Sequence, residues 1–483
     1  ITDAGGNNVI LGDSGSATYD ATGHLRDFHT TANSVAGNDT ISTDNGNDLL
    51  VGGSGGDQIT STGGNNIVLG DNGQLLFDAN GLLTIAVTAD VVNFGDDTIT
   101  LGNGNDIVLG GSGKDAINAG NGNNVVLGDN GQALFNTSRQ LIDFDTTDPD
   151  KGDNDTINVG TGDDVVIGGA ANDNITAIGG RNVLIGDNAR IISDANGNLQ
   201  DVTTKDPTIG GNDVIISGTG DDVIFGGSAA DSITDAGGRN IVVGDNGHAT
   251  FDTSRQLRTI ESIDTNYGGI DTITTGGSDD VVLGGNADDS IAVANGDNVV
   301  LGDHGTAVLD ATGKLLSIQT TSPAIGGNDT ITSGTGNDVV FGGAGNDGIT
   351  IVGGNNIVVG DNGYANFDVN GTLRDIGTQD PSIGGNDVIS TGTGNDIVFA
   401  GVADDTVTTT GGDNILLGDN GQATFDSLAR LINVTTNSAV NGGGDTITSA
   451  SGNDIVFGGS ANDTITIAGG NNIVVGDNGT ATF

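Results

Sequence analysis

The sequence predicts an all-β solenoid in which very short parallel strands stack through Gly- and Asp-rich loops. The pair Gly-Asp recurs every 58 residues, from Gly12-Asp13 to Gly476-Asp477, without an insertion or deletion. Inside each period a nine-residue unit recurs, in which a Gly-rich loop precedes three residues with an aliphatic side chain in the middle. A unit this short buries its aliphatic side chain only when copies stack. The 88 Gly and 3% aromatic residues also argue against a thick globular core.

The 58-residue period organises the whole chain. We therefore expect residues 1–483 to form one continuous tandem array, eight repeats and a partial ninth, with no separate globular domain. The array starts and stops inside a repeat, and we find no polar cap of the kind that terminal solenoid repeats carry. These features predict that the sequence is an internal fragment of a longer chain.

Four registers recur nine residues apart in each period, and their residue types are constant. The first three hold Asp in all 24 instances, and the fourth holds Asn in all nine, from Asn8 to Asn472. The first register is Asp39, Asp97, Asp155, Asp213, Asp271, Asp329, Asp387 and Asp445. The second is Asp48, Asp106, Asp164, Asp222, Asp280, Asp338, Asp396 and Asp454. The third is Asp57, Asp115, Asp173, Asp231, Asp289, Asp347, Asp405 and Asp463.

The charge of the chain excludes some partners and favours others. Its 64 acidic and 13 basic residues give a net charge of -51, which repels nucleic acid and acidic membranes. Glu261 is the only Glu, so the acids are nearly all Asp, whose short side chain suits tight turns and metal-binding loops. Cys is absent, and no apolar run approaches the roughly 18 residues that span a bilayer. We therefore expect a soluble cation as partner, without nucleic acid and without a transmembrane segment.

Three stretches match the pattern G-G-x-G-x-D-x-U-x, where U is aliphatic: Gly52 to Thr60, Gly110 to Asn118 and Gly342 to Thr350. This pattern resembles the nonapeptide of the RTX (repeats-in-toxin) calcium-binding proteins. In that family two nonapeptides form one turn of a parallel β-roll, and calcium lies between loops on the same edge. The resemblance implies several Ca²⁺ ions per repeat, with the 24 register Asp residues and loop carbonyls as ligands. The alternative is that these Asp residues only form turns beside Gly.

Successive loops of a β-roll alternate between its two edges. We therefore expect Asp39 to stack over Asp57, and Asp48 over Asn66. One departure from the pattern concerns its fourth position, where five of the eight third-register units replace Gly with Ala. If this position requires a positive φ, Ala is strained there and these loops bind calcium more weakly or differently. The replaced positions are Ala171, Ala229, Ala287, Ala403 and Ala461.

The Asn register departs further from a calcium site. Asn182 and Asn240 follow Arg181 and Arg239, whose positive charge opposes a nearby cation. We therefore expect the Asn register to form a hydrogen-bonded amide ladder, or a site made of carbonyls alone, rather than a full calcium site.

The other half of each period does not follow the nonapeptide. Apolar positions at Phe77 and Leu83, on either side of a bend at Asp78 and Gly81, predict two further strands. Six strands per period would form about three coils, and the alternative is a hairpin that protrudes from a two-coil roll. The Asp of the recurring Gly-Asp pair is either a further calcium ligand or a turn residue. These positions are Asp13, Asp71, Asp129, Asp187, Asp245, Asp303, Asp361, Asp419 and Asp477.

The two predicted sheets have unlike outer faces. Strands after the first and third registers carry Thr beside the aliphatic residue, as in Thr-Ile-Thr at residues 98–100. Strands after the second and fourth registers are apolar throughout, as in Val-Val-Phe at residues 339–341. Such a ribbon requires a cover, which the connecting half-repeat, a neighbouring chain or a hydrophobic ligand can supply. If a neighbouring chain supplies the cover, the protein associates with itself through the apolar sheet.

The sequence predicts a structural protein rather than an enzyme. His24, His29, His248 and His304 fall at unrelated registers, where we expect surface positions, and no catalytic site interrupts the period. We expect a secreted, calcium-stabilised rod or filament outside the cell or on a bacterial surface. It could serve as an adhesin extender, surface fibre, sheath or S-layer-like assembly. The alternatives are a calcium-responsive export and folding module of a secreted enzyme or toxin, and an ice-binding solenoid that uses the Thr rows.

Overall fold

The computed structural model describes residues 1–31, 37–89, 92–437 and 441–483. The chain divides into two compact units, Ile1–Asp235 with Phe251–Arg255 and Ala236–Thr250 with Gln256–Phe483. The described elements of both units are β-strands, apart from one 3₁₀ turn at Pro149–Lys151. The predicted all-β fold of short strands in parallel sheets is confirmed. No helix in these ranges is long and apolar enough to cross a membrane.

Strands that follow the first- and third-register loops pair in parallel, and we call them the threonine sheet of each unit. Their central aliphatic residues are in register, since Ile59 pairs with Ile41 on one side and with Ile99 on the other. These strands are Thr40–Thr43, Gln58–Ser61, Thr98–Thr100, Ala116–Gly120, Thr156–Thr161, Asn174–Gly179, Val214–Thr219, Ser232–Gly237, Thr272–Thr275, Ser290–Val293, Thr330–Thr335, Gly348–Gly353, Val388–Thr393, Thr406–Gly411, Thr446–Ser449 and Thr464–Ile467.

Strands that follow the second- and fourth-register loops form a second parallel sheet, the aliphatic sheet. Val68 pairs with Leu50 and with Val108, and all three side chains are fully buried. These strands are Val9–Leu11, Leu49–Val51, Ile67–Leu69, Ile107–Leu109, Val125–Leu127, Val165–Gly169, Val183–Asp187, Val223–Phe225, Ile241–Val243, Val281–Leu283, Val299–Leu301, Val339–Phe341, Ile357–Val359, Ile397–Gly401, Ile415–Asp419, Ile455–Phe457 and Ile473–Val475.

The connecting half of each period forms an antiparallel hairpin. Leu75 pairs with Ala86 within one hairpin and with Phe28 of the preceding hairpin, so the hairpins of a unit form a third, antiparallel sheet. These strands are Gly15–Tyr19, Leu25–Thr30, Gly73–Phe77, Leu83–Thr88, Gly131–Phe135, Leu141–Thr146, Ala189–Ser193, Leu199–Thr204, Gly247–Phe251, Leu257–Ser262, Gly305–Leu309, Leu315–Thr320, Gly363–Phe367, Leu373–Thr378, Gly421–Phe425, Leu431–Thr436 and Thr480–Thr482.

Each period therefore contributes two coils and a hairpin, and the expectation of about three coils is wrong. Stacked residues are alternately 18 and 40 residues apart, because every second coil carries the hairpin. The bend between the two extra strands explains why they form a hairpin rather than a third coil. The N–H of Asp78 donates to the carbonyl of Leu82 at 2.8 Å, and Gly81 has a φ of 73°. A turn this tight returns the chain beside itself, whereas a parallel coil needs a longer crossover.

The hairpin sheet covers the outer face of the aliphatic sheet. Leu69, on that outer face, is fully buried, as are Leu75 and Ala86 of the hairpin. The hairpin begins so close that a Cβ on Gly73 would lie 2.4 Å from Cδ1 of Leu69. The connecting half-repeat therefore covers the part of this face where Leu69 lies, while Ile67 on the same face stays half-buried.

Removing a hairpin side chain that forms this cover should destabilise the hairpin. Phe144 is fully buried, and Phe144→Ala is expected to cost about 3–5 kcal/mol of local unfolding free energy. The measurement is native-state hydrogen exchange of the amides in Leu141–Thr146, with calcium present. Ile178→Ala is the control, because Ile178 is 65% exposed and should change stability by less than about 0.5 kcal/mol. Equal effects of the two substitutions would show that the hairpin does not bury a core.

Candidate calcium-binding edge

The loops that carry the first- and third-register Asp residues stack on one edge of each unit, which we call the carboxylate edge. The backbone N–H of Asp39 donates to Oδ1 of Asp57 at 2.7 Å, and the N–H of Asp57 donates to Oδ1 of Asp97 at 2.7 Å. The same bond recurs in the second unit, from Asp271 to Asp289. The predicted stacking of Asp39 over Asp57 is confirmed. Each of these carboxylates thus fixes the preceding loop of the stack through one of its two oxygens.

In thirteen carboxylates of this edge the second oxygen is buried and lacks a hydrogen-bond donor among the described residues. A buried charged oxygen without a partner is unfavourable unless a cation or a proton compensates it. Carboxylate oxygens are also the ligands that calcium prefers. The Oδ2 atoms concerned belong to Asp57, Asp97, Asp115, Asp155, Asp173, Asp213, Asp289, Asp329, Asp347, Asp387, Asp405, Asp445 and Asp463.

Glycines bring carbonyl oxygens next to these Oδ2 atoms. A Cβ on Gly70 would lie 2.2 Å from Oδ2 of Asp97 and 2.5 Å from the carbonyl oxygen of Gly110. A Cβ on Gly52 would meet Oδ2 of Asp57 and the carbonyl oxygen of Gly70, both at 2.2 Å. No side chain fits at either position. Carboxylate and carbonyl oxygens therefore converge at the same loops, which is the donor set that calcium requires.

Burial and mutual repulsion act on the carboxylates of this edge. Burial raises the pKa of Asp57 to about 7, and the charges of Asp39 and Asp13 add to the effect. Burial and the neighbouring Asp115 raise the pKa of Asp97 to about 9. The fold thus holds carboxylates where only a nearby positive charge stabilises their ionised form.

The third-register loops require left-handed backbone at the fourth motif position, as the sequence suggested. Gly55, Gly113 and Gly345 have φ values of 110°, 120° and 110°. The five Ala replacements adopt φ values from 71° to 78°, in the left-handed region that is unfavourable for a residue with a Cβ. The predicted strain is therefore present in Ala171, Ala229, Ala287, Ala403 and Ala461.

The opposite edge of each unit alternates second-register Asp with Asn, and we call it the amide edge. The N–H of Asp48 donates to Oδ1 of Asn66 at 3.1 Å, and the N–H of Asn66 donates to Oδ1 of Asp106 at 2.7 Å. The predicted stacking of Asp48 over Asn66 is confirmed, and the Asn register forms the hydrogen-bonded ladder expected of it. Burial raises the pKa of Asp106 only to about 6, because hydrogen bonds from Asn66 oppose it.

The Asp residues of the Gly-Asp pairs lie beside the carboxylate edge and bind backbone amides. Oδ2 of Asp71 accepts from the N–H of Ser112 at 2.8 Å, and Oδ1 accepts from the N–H of Gly95 at 3.3 Å. Asp361 repeats the arrangement with Val402 and Gly385. Both oxygens therefore have protein partners, as a turn residue would, and a further role as calcium ligand stays a prediction for this set.

One expectation about the histidines is wrong. His304 is fully buried, its Nε2 lies 3.0 Å from the carbonyl oxygen of Thr265, and burial lowers its pKa to about 4. It replaces an Asn of the recurring Gly-Asp-Asn-Gly turn, such as Asn72, which is also buried and bonds the carbonyl of Asn93. The position of His304 in this recurring turn predicts its burial, whereas its residue type does not.

The sequence did not predict the role of a set of glycines on the carboxylate edge, where an Asp Oδ2 atom occupies the space that a Cβ would need. The sequence feature that marks them is the Gly that precedes the Asp at every 58-residue step. These positions are Gly12, Gly70, Gly128, Gly186, Gly244, Gly302, Gly360 and Gly418. Within the described ranges, no three His, Asp or Glu side chains group as a metal cluster.

Parallel coils with buried carboxylates stacked along one edge define a repeat protein of the calcium-binding β-roll class. The family model described as RTX calcium-binding nonapeptide repeat (4 copies) matches most of the chain. The matched residues are 34–68, 92–126, 151–187, 209–242, 216–250, 265–300, 325–358, 383–416 and 440–474. The chain therefore belongs to the RTX calcium-binding nonapeptide repeat family, whose repeats bind calcium and whose members are generally secreted. No curated protein matches the chain.

The glycine contacts predict a steric test of the carboxylate edge. Gly70→Ala is expected to destabilise the loops around Asp97 by about 1–3 kcal/mol, because the new Cβ overlaps Oδ2 of Asp97. Gly179→Ala is the matched control, since its nearest atom would be the Thr219 carbonyl oxygen at 3.7 Å, an ordinary contact. Hydrogen exchange of Thr98–Thr100 in saturating calcium measures the effect. Equal protection in both variants would contradict the packing described.

Proposed function

We propose that this chain is a calcium-stabilised structural segment of a secreted protein, and that it forms part of an extracellular rod or filament. The observation that carries the proposal is the set of thirteen buried Oδ2 atoms on the carboxylate edge that have no donor among the described residues. A catalytic site needs a set of side chains that occurs once in the chain, whereas this chain repeats the same 58-residue pattern without insertion. The proposed role is therefore mechanical rather than enzymatic.

Calcium binding would make the chain fold only outside the cell, where calcium is abundant. The register Asp residues and the loop carbonyls would hold the ions, and the ions would supply the positive charge that the stacked carboxylates need. Lys and Arg are scarce, and their ion pairs are formed elsewhere, as between Arg190 and Asp143 at 2.6 Å. A chain of net charge -51 repels itself without cations, so it would stay unfolded at low calcium and close outside the cell.

The regular stacking within each unit supports a rod. Two coils at about 4.8 Å each would advance a unit by roughly 10 Å per period, less than three coils would give. Lateral self-association through the aliphatic sheet has less support, because the hairpins bury part of its outer face, at Leu69 and its equivalents. An assembly of rods would have to use the hairpin sheet or the threonine sheet.

Two alternatives use the same fold. A calcium-responsive folding module of a secreted enzyme or toxin would share the carboxylate edge, and it would require a catalytic domain elsewhere in the protein. Ice binding would use the outer face of the threonine sheet, where Thr98 and Thr100 are exposed. That face also exposes Val214, Ile216 and Val388, which interrupt the Thr rows and weaken this alternative.

Calcium removal tests the coupling of folding to the ion. We expect a β-type circular dichroism spectrum in millimolar calcium and a disordered spectrum after addition of excess chelator. Restoring calcium should restore the β-spectrum, and sodium chloride of equal ionic strength should not, because screening alone provides no ligand for Oδ2. A β-rich spectrum that persists in chelator would overturn the proposal.

Electron microscopy tests the proposed rod. In calcium we expect thin, mostly single rods in negative stain, since the apolar sheet is already covered by hairpins. In chelator the rods should disappear. Compact round particles in calcium would contradict the proposed role, and ordered sheets or fibres would favour an assembled surface layer over a single extender.

A further inference from the structure

The two edges of the roll differ in what surrounds their oxygens. On the amide edge, Nδ2 of Asn66 donates to the carbonyl oxygen of Gly64 at 3.0 Å and to Oδ1 of Asp106 at 2.9 Å. A loop carbonyl and an Asp carboxylate are the two kinds of oxygen that calcium would take. Here a side-chain amide of the protein joins them instead.

The same bridge recurs in the second unit. Nδ2 of Asn356 donates to the Gly354 carbonyl at 3.1 Å and to Oδ1 of Asp396 at 3.0 Å. Nδ2 of Asn414 bonds the Gly412 carbonyl in the same way, at 3.1 Å. An amide has two N–H donors, so it satisfies one oxygen of each kind without a metal.

Hydroxyl groups occupy the other oxygen in part of this edge. Oγ of Ser333 donates to Oδ2 of Asp338 at 2.8 Å, and Oγ of Ser449 donates to Oδ2 of Asp454 at 2.8 Å. Oδ2 of Asp222 accepts from Ser217 in the same manner. These carboxylates are therefore bonded at both oxygens by the protein.

The hydroxyls stand five residues before the second-register Asp, where every copy carries a side chain. These residues are Thr43, Leu101, Val159, Ser217, Thr275, Ser333, Thr391 and Ser449. Third-register loops of the carboxylate edge have Gly at this place in seven of eight copies, and Ala400 in the eighth. The amide edge thus fills the space that the carboxylate edge keeps open beside Oδ2. Oδ2 lacks a donor among the described residues in five copies of this edge, namely Asp48, Asp106, Asp164, Asp280 and Asp396. The two edges therefore differ in the Asn bridge and in the side chain that fills this space, not in the bonding of every Oδ2. In the copies with Leu101 and Val159 the filling side chain offers no metal ligand.

Basic side chains reinforce the difference in the first unit. Nη2 of Arg181 lies 3.2 Å from Oδ2 of Asp163, which adjoins the second-register Asp164. Arg255 reaches the same place, where its Nη2 donates to the carbonyl of Arg181 at 3.0 Å and its Nη1 lies 4.0 Å from Asp163. Two guanidinium groups at this edge would repel a divalent cation bound to Asp164.

We propose that calcium binds along the carboxylate edge alone, and that Asn amides take the place of the cation along the amide edge. This inference rests on the calcium binding proposed above and reduces the set of predicted calcium ligands. It removes eight residues from the predicted ligands, namely Asp48, Asp106, Asp164, Asp222, Asp280, Asp338, Asp396 and Asp454.

Ion counting on matched variants tests the proposal. The full chain is dialysed against calcium, and bound calcium per chain is measured by plasma mass spectrometry. Asp97→Asn with Asp155→Asn, on the carboxylate edge, should lower the count by about one ion or more per substitution, because each removes a charged ligand. Asp106→Asn with Asp164→Asn, on the amide edge, should leave the count unchanged. Circular dichroism in calcium confirms that the variants are folded.

The outcomes separate this inference from the proposed function. A chain that binds no calcium would overturn both. A chain that binds calcium, but loses the same number of ions in both double variants, would overturn only the one-edge inference. If the Asp97/Asp155 variant does not fold, a crystallographic or cryo-EM map of the wild-type chain in calcium decides. Density beside Asp97 and none between Asn66 and Asp106 supports the inference, and density at both places overturns it.

Discussion

The structure depends on one unfavourable interaction: carboxylates of like charge are stacked in a buried row. In each unit the Asp side chains of the carboxylate edge repel one another, and burial adds to the cost. Their Oδ1 atoms nevertheless hold the stacked loops together through backbone N–H groups. The same Asp residues therefore join the coils by hydrogen bonds and require a positive charge nearby when they are ionised. Glycine at Gly70 and its equivalents follows from this arrangement, because the carboxylate needs the space of a Cβ.

The two parallel sheets and the hairpins supply the hydrophobic packing that the carboxylate edge lacks. Fully buried aliphatic residues, such as Ile59 and Val68, fill the space between the two parallel sheets, and the hairpins seal the outer face of one of them. This hydrophobic packing does not depend on ions. It is thin, however, since each short strand contributes one or two residues to the interior, as Ile349 and Ile351 do. A thin core and a charged edge together explain how a chain with few aromatic residues forms a defined structure.

The period of nine residues predicted the short strands, the two edges and the stacking of Asp39 over Asp57, because spacing alone decides which loops share an edge. It did not predict two coils rather than three. Alternating apolar residues at Phe77 and Leu83 are compatible with parallel and antiparallel pairing, and only the hydrogen bonds of the Asp78 turn distinguish them. The Gly70 contact was equally hidden, since it joins Asp97, 27 residues later in the chain, across stacked coils. The burial of His304 follows from its place in the repeated turn, where Asn72 and its equivalents are buried, and not from its residue type.

The antiparallel hairpin sheet gives neighbouring periods a second connection. Hairpins of adjacent periods are joined by backbone hydrogen bonds, as between Phe28 and Leu75, and by the paired side chains of Arg190 and Asp143. Under tension along a unit, both the parallel coils and the hairpin sheet would bear load, and the hairpin pairing uses none of the register Asp residues. A coil that lost its ions would slacken on one side while the hairpin sheet continued to carry force.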